Sequence, residues 1–252
     1  MSALVTRALE RELLVYVRTW RGYAFSSLVQ PLLFLGAMGI GLGGLVEQGA
    51  GGLEYVAFVT PGLLAASALM TAGAESLWPV MGGVKWMGQF NSMVATAMTP
   101  GDVYGGLVLA AAARALVSAV AFLAVAAPLG GTTSWWAPLA VVPPVLLAAT
   151  TCAVLAAFSV AQQDDQKFPL VMRLGIIPLF LFSGTFFPID QLPDALEAGV
   201  WLSPLWHAVE PARDLTTGSP GPGTLLHLLV LVGITAAALP VGVRNFTRRL
   251  TP

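Results

Sequence analysis

Charge is scarce in this sequence: of 252 residues only 10% are Asp, Glu, Lys or Arg, against about 25% in an ordinary soluble domain. So few charged side chains cannot clothe a water-soluble globule of this length. The net charge is −1 and there is no basic run, which leaves nucleic acid without an electrostatic footprint. Cysteine is nearly absent, and the lone Cys152 cannot form an intramolecular disulfide; it sits in an apolar run as a packing residue. The only histidines are His207 and His227, with no paired-histidine motif and no second thiol, so no metal site is expected from this chain alone. A phosphate-binding loop of the glycine-lysine-serine/threonine kind is missing, which removes the visible means of hydrolysing ATP. A serine nucleophile elbow is missing too. Apolar side chains are what is plentiful, at 56% with a mean hydropathy of +0.79, and that excludes disorder.

Such a chain belongs in a bilayer, as a single domain over residues 1–252. Residues 22–46 carry no charge, enough to cross a core of about 30 Å at about 1.5 Å per residue. A second span covers about 55–77. Beyond Arg114 the chain is uncharged as far as Gln163, too far for one helix. The cluster Gly130-Gly131-Thr132-Thr133-Ser134 and the belt-like Trp135-Trp136 divide it into spans of about 104–128 and 136–160. The fifth covers about 168–187 and the sixth about 224–243. The predicted fold is therefore an all-α membrane protein of six transmembrane helices.

Six spans put both termini on one side, and the basic residues say which. Arg7, Arg11, Arg18, Arg21, Lys85, Lys167, Arg244, Arg248 and Arg249 fall on the side of the termini, whereas the opposite loops hold only Arg213. The termini are thus expected in the cytoplasm, and the acidic loop 188–223 outside.

Residues 1–21 have a different pattern. Val5, Leu9, Leu13, Tyr16 and Trp20 fall on one helical stripe, with Arg7, Arg11 and Arg18 opposite, as in an amphipathic interfacial helix. Two compatible roles follow: an anchor to anionic lipid, and a polar face that meets a cytoplasmic partner. The inner loop from Pro79 to Asp102 carries Lys85, Trp86, Phe90 and Met93. These side chains fit equally a headgroup contact and a knob for a groove in another protein. Ser183-Gly184-Thr185-Phe186-Phe187-Pro188 is apolar yet rich in helix breakers, which predicts a broken, partly re-entrant segment packed against protein. Trp206, His207, Glu210 and Arg213 follow at the spacing of a short helix. At membrane depth, Arg114 costs about 2.5 to 3.5 kcal/mol if central, so it faces protein or water. Glu75 is its candidate partner, either packing helices together or touching a transported molecule.

Taken in order, these features resemble the permease subunits of ABC type 2 exporters, of the daunorubicin-resistance and nodulation-factor export kind. The resemblance spans nearly the whole chain. It rests most specifically on Phe182-Ser183-Gly184-Thr185-Phe186-Phe187-Pro188-Ile189-Asp190-Gln191-Leu192-Pro193 and on the stretch from Ser203-Pro204 to Ala212-Arg213, with a second match from Ala95 to Pro100 through Asp102-Val103 and Arg114-Ala115-Leu116. One departure stands out: relatives often carry Gly-Glu at the start of the third span, where this chain has Gly105-Gly106.

The resemblance implies that the chain is not itself an enzyme. ATP and magnesium would be held by two separate ATP-binding subunits, and a second permease, the same or a related chain, would complete the transporter in a bacterial cytoplasmic membrane. Arg7, Arg11 and Arg18, with Lys85, Trp86, Phe90 and Asn91, would meet the ATPase. Ser183, Gly184, Phe186, Phe187, Pro188, His207, Glu210 and Arg213 would form an outer gate. The expected cargo is a hydrophobic or amphipathic drug or natural product, with a glycolipid or polysaccharide as the alternative. A gradient-driven secondary transporter would instead carry coupling carboxylates near mid-membrane, and Glu75 is the only acid within an expected span.

Overall fold

Long uncharged stretches can satisfy their backbone N–H and C=O groups in hydrocarbon only within themselves, and helices are what form. The computed structural model describes residues 3–36, 55–191, 193 and 199–251, and among them there is no strand. The first helix, α1 (Ala3–Gly36), is continuous where the polarity pattern predicts a boundary between residues 21 and 22. Gly22 at that boundary lowers helix propensity by only about 1 kcal/mol against Ala, and no proline occurs before Pro31. The expected first span extends beyond α1 into residues 37–46, which lie outside the described residues.

Helix α2 (Tyr55–Met81) runs past the expected end of its span into a wider turn at Gly82–Trp86. There the Met87 N–H donates to the Gly82 carbonyl, five residues back, at 2.8 Å. A short α3 (Gln89–Val94) follows. Helix α4 (Pro100–Ala126) begins four residues earlier than hydropathy predicts, because Thr99 and Asp102 cap it reciprocally. The Asp102 N–H donates to Thr99 Oγ1 at 3.2 Å, and the Thr99 N–H donates to Asp102 Oδ2 at 2.9 Å. With Pro100 at the first helical position, this is a complete start signal.

Helix α5 (Val142–Ala161) is entered through a tighter turn at Ala137–Val141. Helix α6 (Phe168–Phe182) stops five residues short of the expected 187. Ser183 leaves helical geometry and Gly184 takes φ +75°, a region open to glycine at little cost. At about 1.5 Å per residue, α6 reaches only about 22 Å of the roughly 30 Å hydrocarbon core. Within it Val171–Ile176 widens to five-residue spacing, just before Pro178, which has no N–H to give. The last two helices are α7 (Trp206–Thr217) and α8 (Pro222–Leu250).

Four described stretches, Tyr55–Trp86, Pro100–Leu129, Ala137–Ala161 and Pro222–Leu250, are long and apolar enough to cross a membrane. α2 packs chiefly on α5, α5 also on α8 and α4, and α1 along α4, while α7 wedges against α2 and α8. One core cluster joins Phe90, Tyr104, Cys152, Ala153, Ala156 and Phe246. In it the Tyr104 hydroxyl donates to the Ala153 carbonyl at 2.7 Å, and its ring lies so close to α8 that a Cβ on Gly242 would fall 2.1 Å from Tyr104 Cζ.

Candidate functional site

Two polar constellations interrupt this apolar bundle, one at each end. The first gathers around the turn after α2. Lys85 Nζ donates to the Gln163 carbonyl at 2.9 Å, and Arg249 Nη1 donates to Gln163 Oε1 at 3.4 Å, so the α2–α4 loop, the α5–α6 loop and the end of α8 form one basic surface. Trp86 and Met87 project from it, 58% and 65% exposed. Asn91 is exposed as well, its Nδ2 donating to the Val84 carbonyl at 3.4 Å. Phe90 is different. Only 1% exposed, it packs against Phe246 and fits over Gly83, where a Cβ would fall 2.5 Å from the Phe90 ring. The expectation that Phe90 meets a partner is therefore corrected: it anchors the loop from below, and Trp86 with Met87 forms the outward face.

Helix α1 joins this surface by a different face from the one its apolar stripe predicts. Val5 and Ala8 are buried, Leu9 and Leu13 are half-buried, and Trp20 is exposed. The rotation has a steric cause. A Cβ on Gly106 would lie 2.5 Å from Ala8 Cβ and 3.2 Å from α1 backbone, so glycine at this position is what lets the two helices touch. A larger side chain there has no room, which accounts for the Gly105-Gly106 departure.

Rotation also carries Glu12 into the bundle. Arg114 Nε lies 3.0 Å from Glu75 Oε2, and Arg114 Nη1 lies 3.9 Å from Glu12 Oε2. Glu12 in turn pairs with Arg11, whose other terminal nitrogen donates to Gln89 Oε1. A cavity of about 350 Å³, lined by Arg11, Glu12, Glu75, Gln89, Phe90 and Arg114 among others, opens beside these groups. Arg7 and Arg18 stay on the exposed face, Arg7 paired with Glu10 at 2.8 Å.

At the other end α7 and the bent segment after α6 close over α2. Arg213 holds them together: Nη1 lies 2.5 Å from Glu210 Oε1, Nη2 donates to the Gly184 carbonyl at 2.6 Å, and the guanidinium carbon stands 4.5 Å from the Phe58 ring centre. Burial pushes the Arg213 pKa down, against the opposing pull of Glu210 and Asp214. Ser183 and Ser203, both buried, share a hydrogen bond of 2.6 Å. Thr185 is fully buried against Gly62, where a Cβ would meet its backbone at 2.7 Å. Phe186, Phe187 and Pro188 are half-buried beside it.

His207 links this cap to α8. Its Nε2 lies 3.1 Å from the Trp201 carbonyl and its Nδ1 lies 2.7 Å from His227 Nδ1. A carbonyl only accepts, so Nε2 carries the proton of neutral His207, and His227 donates from Nδ1. Burial lowers the His207 pKa, and the bond to Trp201 raises it in part. Among the described residues no three His, Cys, Asp or Glu converge on a metal position.

The expected residues thus form two groups. Arg11, Glu75 and Arg114 come together with Glu12, and the outer set comes together around Arg213 and His207. Glu12, Gln89, Phe58, Ser203 and His227 were not singled out from the sequence. Among them Glu12 left the nearest signal: on a wheel of about 100° per residue it falls about 20° beyond Val5, at the edge of the apolar stripe.

A helical membrane domain with two polar ends and no catalytic constellation among its described residues fits a transport subunit. The ABC-2 type transporter family matches residues 4–216, and the chain belongs to that family, as a permease subunit. Its relatives include Nodulation protein J of Sinorhizobium fredii, 31% identical over 235 residues that cover 92% of this chain and 89% of that protein. Nodulation protein J of Rhizobium leguminosarum bv. viciae is 30% identical, with 92% and 90% covered. That of Neorhizobium galegae is 27% identical over 262 residues, the full length of both. Membership implies an ATP-binding partner.

Proposed function

We propose that the chain is the membrane-spanning subunit of an ATP-driven exporter for amphipathic compounds, working as a pair of permeases with two ATP-binding subunits in a bacterial cytoplasmic membrane. The family match over 4–216 carries this reading. Six spans follow when the second half of α1, and α6 with its bent continuation, are counted beside the four long helices. Both termini then lie in the cytoplasm with the basic surface. Trp86 and Met87 form the knob that an ATPase groove receives, and the N-terminal helix lies against the same subunit. ATP binding draws the ATPases together, and α2 and α4 pass the motion to the cap held by Arg213 and His207.

Apolar walls favour a cargo with a lipid-like part. A groove of about 320 Å³ lined by Leu174, Pro178, Leu179, Phe182 and Val200, with Ser183 and Ser203 at its polar edge, supports an amphipathic molecule over a wholly polar one. A hydrophobic drug and a glycolipid both have that character. The test is a mild-detergent pull-down of the tagged protein from its native membrane, with partners quantified by mass spectrometry. A stoichiometric ATP-binding subunit supports the exporter. Recovery of the chain alone, active in vesicles on an ion gradient without ATP, contradicts it.

A further inference from the structure

Where α1 meets α4 the contact is made of small groups: Ala8 sits on Gly106, and a Cβ on Gly105 would touch Val5 at 3.5 Å. Such a surface brings backbones close but has no interlocking ridges to resist sliding. The directional tie is the charge chain. It starts at Gln89, next to the exposed turn, and passes through Arg11 and Glu12 of α1 to Arg114 of α4 and Glu75 of α2. Arg114 is fourteen residues into α4, about 21 Å along it at the helical rise. The chain therefore runs from the loop surface to the middle of α4 and to the last two turns of α2. Glu12, Glu75 and Arg114 side chains are only 14–15% exposed, so their interactions are weakly screened.

We propose that Arg114 is a positioning residue for energy coupling, the node through which displacement of α1 and of the Gln89 loop is passed to α2 and α4. The proposal rests on the exporter reading. With Glu12 and Glu75 both beside one guanidinium, a shift of α1 acts on Arg114 and, through it, on α2 and α4. The looser 3.9 Å link to Glu12 is where the chain yields first.

A buried ion network is often replaceable by neutral side chains with little loss of stability, and this separates a coupling role from a packing role. The triple variant Glu12→Gln, Glu75→Gln, Arg114→Met removes all three charges of the triad, and Arg11, 34% exposed, keeps Gln89 and access to water. The variant is tested in proteoliposomes with the ATP-binding partner, on a reporter chain carrying Cys152→Ala and Ser203→Cys. Ser203 is buried in the outer cap, so maleimide labelling there reads cap opening without knowledge of the cargo.

With the native triad, ATP should change the labelling rate. In the triple variant, partner stoichiometry and ATP hydrolysis should persist, while the ATP-dependent change in labelling falls at least about tenfold, within the range of ordinary coupling energies. Arg114→Lys, which keeps the charge, should restore part of it. An undiminished response in the triple variant overturns the proposal, and so does loss of the partner, which would make the triad a docking element. A native-triad chain that takes up no ATP-binding partner contradicts the exporter reading itself, and the proposal falls with it.

Discussion

Glycines decide where helices meet in this protein, and their neighbours make the effect of substitution calculable. Gly106→Ala forces its new Cβ into Ala8 and the α1 backbone, and overpacking of this kind costs about 1–3 kcal/mol. Gly22→Ala, with open space around its Cβ, should be neutral or stabilising by up to about 1 kcal/mol. Thermal unfolding in detergent should lower Tm for the first and not the second; equal shifts would place α1 elsewhere. At the cap, the folded state lowers the His207 pKa by burial, so the unfolded chain binds more protons as pH falls. Stability should be full above about pH 6.5, the ordinary histidine value, and decline as pH drops through the lowered value. Unfolding measured from about pH 8 to pH 5 checks this, and His207→Gln should flatten the profile. An unchanged slope in that variant would assign the pH dependence to other groups. The residue scale was partly legible in sequence: the Arg114–Glu75 pair follows from two ionisable groups in apolar spans. Glu12 was hidden because the apolar stripe was drawn through Leu9 and Leu13, while the tight Gly106–Ala8 contact, which no single-chain pattern reveals, sets the buried face.

Helix existence followed from charge-free runs, but helix ends followed from local chemistry that hydropathy does not weigh. The Thr99–Asp102 box starts α4 early, and the left-handed Gly184 stops α6 early. The short helix through Trp206, His207, Glu210 and Arg213 was legible from its spacing, whereas its clasp onto α8 through His227 depends on a partner twenty residues away. Burial likewise separates two aromatics of one loop that look alike in sequence. Trp86→Ala should leave Tm nearly unchanged, as expected for an exposed site, and reduce recovery of the ATP-binding subunit. Phe90→Ala removes a buried ring and should destabilise by about 3–5 kcal/mol, with partner loss only as a consequence of unfolding. Pull-down and Tm measured on the same preparations separate the two, and full partner recovery with Trp86→Ala would remove the knob from the proposed interface. Gly62→Ala pushes on the Thr185 backbone and should loosen the segment 183–188, read as faster maleimide labelling of Ser203→Cys in the Cys152→Ala background. Unchanged labelling would mean that the segment is held by Arg213 alone.

As a whole, the molecule is an ABC-2 family membrane subunit with a basic surface at one end of an apolar bundle and a polar cap at the other, and the Arg114 network reaches from the basic end into α2 and α4. Helices α2 and α8 both run from the basic end to the cap: α8 is tied to α5 where Thr235 and Thr150 bond each other at 2.8 Å and Asn245 Nδ2 donates to the Ala157 carbonyl at 3.0 Å, and to the cap through His227 and His207. The central claim is that ATP, hydrolysed by a separate subunit, drives outward transport through this chain. Its most direct test is uptake of a fluorescent amphipathic probe into inverted membrane vesicles containing this chain and its ATP-binding subunit. Uptake should require ATP, stop when the phosphate-binding lysine of the ATPase is replaced, and survive collapse of the ion gradients. Uptake that ignores ATP and follows the gradient would contradict the account.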